Sequence, residues 1–277
     1  MKKFIVIAIV LIIIAAGAYF VFGTNKGSEL INTLNLTKTK DKALFSVAVV
    51  GDVHQNFKVY DKIQADAESK GAEFIGILGD FTKVGGEKEY SQWQKHKGSI
   101  PQYFIKGPHD EASDSGEMFA KYIGKSFYSF DVEGTHFVVL DDADTKVGFS
   151  EEQLSWLETD LKLAQSSKLQ AVLFMHIPPK FPFASPEEVG QKTKEAQDQA
   201  EKMLEIASRY AVSKIYTGHL HNYFEYMANG IPVVVTGGGG GPLHELPILG
   251  NKYGFHYVLV KVFQSGKIEQ EIVKLGN

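Results

Sequence analysis

The chain has 277 residues, of which 44% are hydrophobic and 22% charged, a composition typical of a globular protein with one sizeable core. The net charge of −4 gives no overall basic field, so no nucleic-acid partner is expected. The chain has no cysteine, which excludes disulfides and thiolate metal ligands and leaves His, carboxylate, amide and backbone oxygen for any metal. Nothing in the sequence specifies an oligomeric state.

The N-terminal segment, residues 1–22, predicts a transmembrane helix. Lys2 and Lys3 precede an apolar, uncharged run over residues 4–22, which at about 1.5 Å per residue is long enough to cross a hydrocarbon core. Because positive charge stays in the cytoplasm, we expect a single-pass cell-membrane protein whose remaining chain lies outside the cytoplasm. Small residues over 16–18 leave an alternative open, a cleaved signal followed by secretion or release into the periplasm.

The chain after this segment divides into a linker and a folded domain. Residues 23–42 are polar and predict a linker, and the domain is expected over residues 43–277. The runs 44–50, 74–78 and 102–106 are short and apolar, as is typical of strands buried on both faces. Helical stretches between them predict βαβ units and an α/β fold.

The second half of the chain continues the alternation of strands and helices. Ser150 and Gln153 predict a capping box that begins one helix, and apolar spacing predicts another over about residues 196–207. Asn229-Gly230 is typical of a hairpin turn. The expected strands are residues 127–130, 136–140, 169–175, 214–217, 223–228, 233–236, 255–262 and 267–274.

Polar side chains follow at least five of the predicted strands where each strand ends. Ligands bind at this edge of α/β sheets, and desolvated Asp and His cost free energy unless they are paired or bound to metal. In Asp-x-His and His-x-His, an extended backbone would point both ligands one way and Val53 or Leu220 into the core. Carboxylate and imidazole ligands suit Mn, Fe or Zn better than Ca. The residues are Asp52, His54, Asp80, His109, Asp110, His176, His219 and His221.

The order Asp-x-His, Gly-Asp, Gly-x-His-Asp, His and Gly-His-x-His resembles the calcineurin-like metallophosphoesterase superfamily over about residues 43–275. The resemblance implies a four-layer α/β/β/α sandwich with two mixed β-sheets and a dinuclear metal centre. It implies that the first metal is held by Asp52, His54 and His221, that Asp80 bridges, and that His176 and His219 hold the second metal. It also implies that His109 contacts or protonates the departing phosphoester oxygen.

These roles predict a metal-dependent phosphoesterase. Two cations about 3.5–4 Å apart lower the pKa of a shared water, supply a hydroxide nucleophile and clamp the phosphoryl oxygens. Imidazole is suited to give the leaving oxygen a proton near neutral pH. The expected cofactors are two divalent or mixed-valence ions of Mn, Fe or Zn. The expected substrate is a phosphomonoester or phosphodiester, either a small molecule or a lipid phosphate, and the sequence leaves that choice open.

Pro108 departs from the family pattern. The family usually has asparagine before this histidine, and its amide oxygen completes the shell of the second metal, whereas proline offers only a backbone carbonyl. The second site is therefore expected to have three side-chain ligands and to bind its ion more weakly. Two alternatives stay open: a one-metal enzyme, and a non-catalytic exported module that binds metal or a phosphorylated ligand.

Three other features give less specific expectations. Purple acid phosphatases carry a tyrosine three residues after the bridging Asp, and Lys83 stands there, so that branch is not expected. The loop 178–183 is either a substrate lid with Lys180 facing phosphate or a stiff connector. Glycines 237–241 either let backbone amides approach a phosphate or make a tight connection.

Overall fold

The computed structural model describes residues 41–112, 116–244 and 253–276. Its strands are β1 (Ala43–Val50), β2 (Ala72–Leu78), β3 (Gln102–Ile105), β4 (Tyr128–Val132), β5 (Thr135–Val139), β6 (Gln170–Phe174), β7 (Lys214–Thr217), β8 (Tyr223–Ala228), β9 (Ile231–Thr236), β10 (His256–Phe263) and β11 (Ile268–Lys274). Its helices are α1 (Phe57–Ser69), α2 (Glu87–Trp93), α3 (Pro108–Glu111), α4 (Glu117–Tyr122), α5 (Glu151–Ser166) and α6 (Lys194–Arg209).

The strands form two mixed sheets. The first has the order β11-β10-β1-β2-β3, with β1, β2 and β3 parallel and β10 and β11 antiparallel. The second has the order β4-β5-β6-β7-β9-β8, in which β4 and β8 are the antiparallel edge strands. The α/β class and the two mixed sheets expected from the sequence are thus confirmed.

Three apolar clusters lie between the layers of the fold, and β1 contributes residues to two of them. Its alternate residues Phe45, Val47 and Val49 pack in the cluster between the two sheets, together with residues of β5 and β6. Ala48 and Val50 point the other way and pack against α1 and α2. This period of two, with apolar residues on both faces, is the signature of a strand buried on both sides.

The second sheet is covered on its outer face by α5 and α6, whose leucines and Met203 share a cluster with residues of β5, β6, β7 and β9. The order of layers is helices, sheet, sheet, helices. Because β1, β2 and β3 are parallel in one sheet and β6 and β7 in the other, their carboxyl ends bring the chain to one edge of each sheet. The predicted site residues follow these ends.

Ser150 caps α5, but the expected capping box is incomplete. Its hydroxyl accepts the backbone N–H of Gln153 at 3.1 Å. The Gln153 amide does not return to Ser150; its oxygen accepts the backbone N–H of Asp141 at 2.7 Å and its nitrogen donates to the carbonyl of Asp141 at 2.8 Å. The side chain therefore ties the helix to the loop after β5, which leads to the candidate site.

The helix expected over residues 1–22, and almost all of the linker expected over 23–42, lie outside the described residues. Within the part of the chain that the structure does describe, no helix has the length and apolar character needed to cross a membrane.

Candidate metal centre

Four of the predicted ligands converge on one point. Asp52, His54, Asp80 and His221 each offer one ligand atom, and these atoms lie within 4.8 Å of one another. The Nε2 atoms of His54 and His221 are 3.2 Å apart, and His221 Nε2 is 3.2 Å from Oδ1 of Asp52. All four residues are nearly inaccessible to solvent. The arrangement is that of a first group of candidate metal ligands.

A second group shares Asp80 with the first. Asp80, His176 and His219 offer atoms within 4.8 Å of one another. His176 Nε2 lies 3.2 Å from Oδ2 of Asp80 and 3.2 Å from Nδ1 of His219. The structure therefore brings all six predicted ligands together in two adjacent groups, and one carboxylate is common to both.

The backbone at these residues is not extended. Five of the six candidate ligands have positive φ: Asp52 at 61°, His54 at 47°, Asp80 at 50°, His219 at 71° and His221 at 47°. Non-glycine residues adopt this left-handed region rarely and at a cost of about 1–3 kcal/mol each. Clustering of such residues is typical of functional sites, where the surrounding structure holds a conformation that the chain alone would avoid.

The extended backbone predicted for Asp-x-His and His-x-His is therefore wrong. The first strand ends at Val50, and the N–H groups of Asp52 and His54 donate to the carbonyls of Gly79 and Asp80. These bonds to the neighbouring loop turn the chain out of the sheet. Val53 is fully buried as expected, but Leu220 is only half-buried.

Backbone carbonyls orient the imidazoles. His176 Nδ1 lies 2.7 Å from the carbonyl oxygen of Leu78, and His221 Nδ1 lies 2.5 Å from that of Pro242. Because a carbonyl only accepts, each Nδ1 carries the proton, and each Nε2 is left to face the other ligands. Such outer partners fix the tautomer and ring direction of metal-binding histidines.

Burial and charge set the protonation of the imidazoles. Burial lowers the pKa of His54 to about 4, although Asp52 and Asp80 oppose this change. Burial, together with the nearby His176, lowers the pKa of His219 to about 4. Burial alone would also lower the pKa of His176, but the Asp80 carboxylate outweighs it and raises this pKa to about 10. Neutral His54 and His219 are ready to bind a metal, whereas His176 must release a proton to do so.

The donor set passes a test of fit for metal ions. Oδ1 of Asp52 is completely buried and accepts no hydrogen bond, although its other oxygen accepts the backbone N–H of His219 at 2.8 Å. A buried carboxylate oxygen without a donor is costly unless something positive compensates it. Oδ1 faces His221, within the first group of ligand atoms. Imidazole and carboxylate without thiolate suit Mn, Fe and Zn.

Pro108 and His109 lie on α3, a short helix at the end of β3. Pro108 takes the first helical position, where its missing N–H costs nothing, and it adds no side-chain ligand to the second group. His109 is exposed, and its ring meets that of His54 edge-on at 4.7 Å between centroids. His109 therefore stands at the mouth of the centre, beside the ligands.

Two fully buried carboxylates support the loops that carry the ligands. Asp110 accepts the N–H groups of Gly107 and Thr82 at 2.9 Å each, which joins the turn before His109 to the loop after Asp80. Asp142 accepts the N–H groups of His176 and Ile177 at 2.9 and 2.8 Å. Asp142 was not among the predicted site residues; its signal in the sequence is an acidic pair directly after the apolar strand expected to end at Leu140.

Contacts of Lys180 and of glycines 237–241 bear on the alternatives for these two segments. The ammonium of Lys180 pairs with Glu201 at 2.6 Å and Asn229 at 2.9 Å, so it has partners in the structure other than a phosphate, and a lid over residues 178–183 stays a prediction. The glycine run packs tightly, since a Cβ at Gly237 would lie 2.6 Å from the backbone nitrogen of His221, and one at Gly241 would lie 2.7 Å from the His54 ring. These glycines allow close approach of the segments that carry the ligands.

Comparison with known proteins agrees with this geometry. The sequence model of the family described as calcineurin-like phosphoesterase matches residues 45–223. A probable cyclic nucleotide phosphodiesterase from Fibrobacter succinogenes is 27% identical over 196 residues, which cover 67% of this chain and 70% of that protein. A dimetal phosphatase from Danio rerio has the same fold, with a TM-score of 0.62 at 15% identity, over 85% of this chain and 100% of that one.

Similarity also extends to a purple acid phosphatase. Purple acid phosphatase 23 from Arabidopsis thaliana is 27% identical over 171 residues, which cover 54% of this chain but only 36% of the plant protein. Lys83 nevertheless stands where that branch is expected to have tyrosine, and it contributes a backbone carbonyl that lies 2.6 Å from Nδ1 of His109. The sequence similarity to that plant protein therefore does not depend on the tyrosine.

Proposed function

Because the chain belongs to the calcineurin-like phosphoesterase family, we propose that it is a metal-dependent phosphoesterase that hydrolyses a phosphomonoester or phosphodiester at a dinuclear centre. One observation carries the proposal: the Asp80 carboxylate belongs to two groups of candidate metal ligands at once. A carboxylate shared in this way is suited to hold two ions close together. When bound, such ions activate a water molecule and stabilise the charge that develops on the phosphoryl oxygens.

The side chains of the centre have distinct parts in this proposal. Asp52, His54 and His221 would hold the first ion, His176 and His219 the second, and Asp80 both. The hydrogen bond from the backbone N–H of His109 to Oδ1 of Asp80 fixes the direction of the shared carboxylate. Preorganised ligands need no rearrangement during the reaction, which is the main way that such sites lower a barrier.

His109 is the candidate for the group that serves the leaving oxygen. Its Nδ1 lies 2.6 Å from the carbonyl oxygen of Lys83, so Nδ1 carries a proton and the ring cannot turn freely. Nε2 is then the atom that can hold a second proton and pass it to a leaving alkoxide. Exposure of His109 at the mouth of the centre fits a residue that meets substrate and not a metal ligand.

Phosphodiesters and phosphomonoesters are both candidate substrates. The relative from Fibrobacter is named as a probable cyclic nucleotide phosphodiesterase and the plant relative as a phosphatase, which keeps both diesters and monoesters as candidates. A lipid phosphate is a further candidate because of the apolar run over residues 4–22. The same apolar run supports the proposal that the domain is anchored in the cell membrane and lies outside the cytoplasm.

Pro108 favours a second candidate function, a non-catalytic exported module that binds metal or a phosphorylated ligand. Because proline supplies no side-chain ligand, the second group consists of Asp80, His176 and His219. Such a module would have no use for a histidine at the mouth with an oriented ring. The retention of His109 therefore supports the enzyme.

The two functions are separated by a substrate screen. Full-length protein, stripped of metal and reloaded with Mn, Fe or Zn, is assayed with a phosphomonoester, a cyclic nucleotide, a nucleotide anhydride and a lipid phosphate. The proposal predicts hydrolysis of at least one class, dependent on metal and reduced at least about 100-fold in His109→Ala. Binding of metal with no turnover of any class would support the non-catalytic module instead.

A further inference from the structure

A groove of about 640 Å³ lies near the candidate centre, and none of the residues that line it is a candidate metal ligand. We call it the basic groove; its polar lining is Asn56, Lys58, Lys62, Tyr253 and Lys274, and Phe255 and Leu275 add an apolar wall. All three charged residues of this lining are lysines, in a protein whose net charge is −4.

Two of the three lysines, Lys58 and Lys62, are not neutralised by the acidic groups of their own helix. Among the described residues, Lys58 and Lys62 make no ion pair. The three carboxylates of the same helix have other partners: Asp61 lies 2.9 Å from His96, Asp66 lies 3.7 Å from Lys70, and Glu68 accepts a hydrogen bond from the hydroxyl of Ser99.

Two charge effects at these lysines oppose the helix. Lys58 and Lys62 are one turn apart on α1 and repel each other at this spacing, although Asp61, three residues after Lys58, and Asp66, four residues after Lys62, reduce the effect. Lys58 also lies in the first turn, where the helix dipole disfavours a cation. A bound anion would relieve both effects.

The basic groove lies at the same sheet edge as the centre. The strand β10 runs antiparallel to β1, with Val258 opposite Val49, so its first residues lie where β1 ends. Lys274 is opposite His256 in the next strand and therefore reaches the same edge. The ammonium of Lys274 lies 5.0 Å from the centre of the Tyr253 ring, which places both residues on one wall.

Asn56 connects the basic groove to the ligand segments. It follows His54 by two residues, so their Cα atoms are at most about 7 Å apart, and Lys58 is at most about 14 Å from His54 by the same count. The amide of Asn56 donates to the carbonyl of Gly240 at 2.9 Å, in the glycine segment that packs on His54. A single substrate of modest length can therefore span both places.

We propose that the basic groove binds a second anionic group, a phosphate or a carboxylate, on the same substrate whose phosphoester is hydrolysed at the Asp80 centre. The inference rests on the proposed function and deepens it, because it restricts the substrate to molecules with two separated anionic groups. Lys58, Lys62 and Lys274 would contact the second group, and Phe255 and Leu275 would contact apolar atoms between the two.

The test compares two substrates that differ only in the second anion. Phosphate release from 1,6-hexanediol monophosphate and 1,6-hexanediol bisphosphate is measured for the full-length, metal-loaded wild type and for K58Q/K62Q. The wild type should prefer the bisphosphate about tenfold or more in kcat/KM, as expected for charge-assisted contacts. The double variant should lose this preference and retain its activity on the monophosphate.

A matched variant controls for the loss of surface charge. Lys97 and Lys125 line a different groove, next to the beginning of β3, which is the end of that strand away from His109. K97Q/K125Q removes the same charge and should keep the preference of the wild type. Equal kcat/KM for both substrates in the wild type, or an equal loss of preference in the two double variants, would overturn the proposal.

Binding of inorganic pyrophosphate to the metal-free full-length chain separates this inference from the proposed function. If no phosphoester is hydrolysed but K58Q/K62Q loses pyrophosphate binding that K97Q/K125Q retains, the anion site stands and the enzymatic function fails. If phosphoesters are hydrolysed without a bisphosphate preference, the anion site fails alone. Vesicles of phosphatidylserine and phosphatidylcholine test the other source of phosphate: weaker vesicle binding by K58Q/K62Q alone, without a substrate preference, would assign the basic groove to lipid headgroups and overturn the proposal.

Discussion

The backbone N–H of His109 donates to Oδ1 of Asp80 at 2.9 Å. The other oxygen of this carboxylate faces His176 at 3.2 Å. The turn that presents the candidate leaving-group histidine is thus tied to the carboxylate that both ligand groups share. A change in this turn should therefore disturb metal binding and catalysis together.

Gly107→Ala tests this coupling. A Cβ at Gly107 would lie 2.3 Å from Oδ1 of Asp80, so the carboxylate or the turn must move. The same Cβ would lie 2.6 Å from the backbone nitrogen of Asp80. The conformation of Gly107 itself is no obstacle, because its φ is −116°, which alanine adopts easily. We expect a loss of about 100-fold in kcat/KM, as is typical when a catalytic group is displaced by about 1 Å.

Gly86→Ala is the matched control for that variant. Gly86 also has an ordinary φ of −79°, and nothing lies within 4 Å of the position of its Cβ. Its activity should stay within about twofold of the wild type, since a methyl group that meets no neighbour has a small effect. Equal activity of the two alanine variants would show that the close approach at Gly107 does not hold the carboxylate.

Pro108→Asn tests whether this residue stands at the position of the missing ligand. The amide oxygen of asparagine should add a ligand to the second group and tighten that metal site about 10-fold to 100-fold or more relative to the first. Calorimetric metal titration of the wild type, Pro108→Asn and Pro108→Ala measures the change. The alanine variant removes the proline ring without supplying an oxygen and should not tighten the site. Identical affinities in all three proteins would mean that the residue is not at a ligand position.

His136 gives a pH-dependent contribution to stability far from the metal ligands. Burial would lower its pKa, but contacts with Asp160 at 2.8 Å and Asp131 at 2.6 Å prevail and raise the pKa above its ordinary value. Since the folded pKa exceeds the unfolded one, the stabilisation is complete below about pH 6.5 and is lost as the pH rises through the folded pKa.

His136→Gln should therefore reduce the free energy of unfolding by about 1–2 kcal/mol more at pH 6 than at pH 9. Urea titrations of the wild type and the variant at both pH values, with metal chelated, measure the difference. A loss of stability that is the same at both pH values would show that the pairs with Asp131 and Asp160 do not favour the protonated ring.

The membrane topology proposed from residues 1–22 can be tested by locating the domain in the cell. Lys2 and Lys3 before the apolar run should keep the N-terminus in the cytoplasm and place the domain outside it. Protease added to spheroplasts should then cut the domain, and a reporter fused after Asn277 should be active only outside the cytoplasm. A reporter active only inside the cytoplasm would contradict the topology.

The strands and the six candidate metal ligands that follow them could be predicted, because both are visible in short stretches of the sequence. Apolar runs gave β1, β2 and β6 nearly residue by residue, and Asp or His after such a run is conspicuous when parallel strands share an edge. Asn229-Gly230 predicted a turn for which both residues need positive φ, and both have it in the structure.

The features that could not be predicted from the sequence depend on contacts between segments that are distant along the chain. The left-handed backbone at Asp52 and His54 follows from hydrogen bonds to the loop at Gly79 and Asp80, which no local pattern records. Gln153 was expected to complete a cap, but a buried loop at Asp141 competes for its amide. Lys180 follows a candidate ligand in sequence, yet partners on α6 and the β8–β9 turn hold it elsewhere.

The most direct test of the central claim is metal-dependent phosphate release by Asp80→Asn beside Asp198→Asn. Asparagine keeps the size of the side chain and an oxygen for the N–H of His109, but it removes the charge that both ligand groups share. Asp198 is exposed and pairs with Lys194, so its variant controls for the loss of one surface charge. We predict that metal-replete Asp80→Asn loses at least about 100-fold in kcat while remaining folded, and that Asp198→Asn matches the wild type. Wild-type activity in metal-replete Asp80→Asn would contradict a centre in which one carboxylate serves two ions.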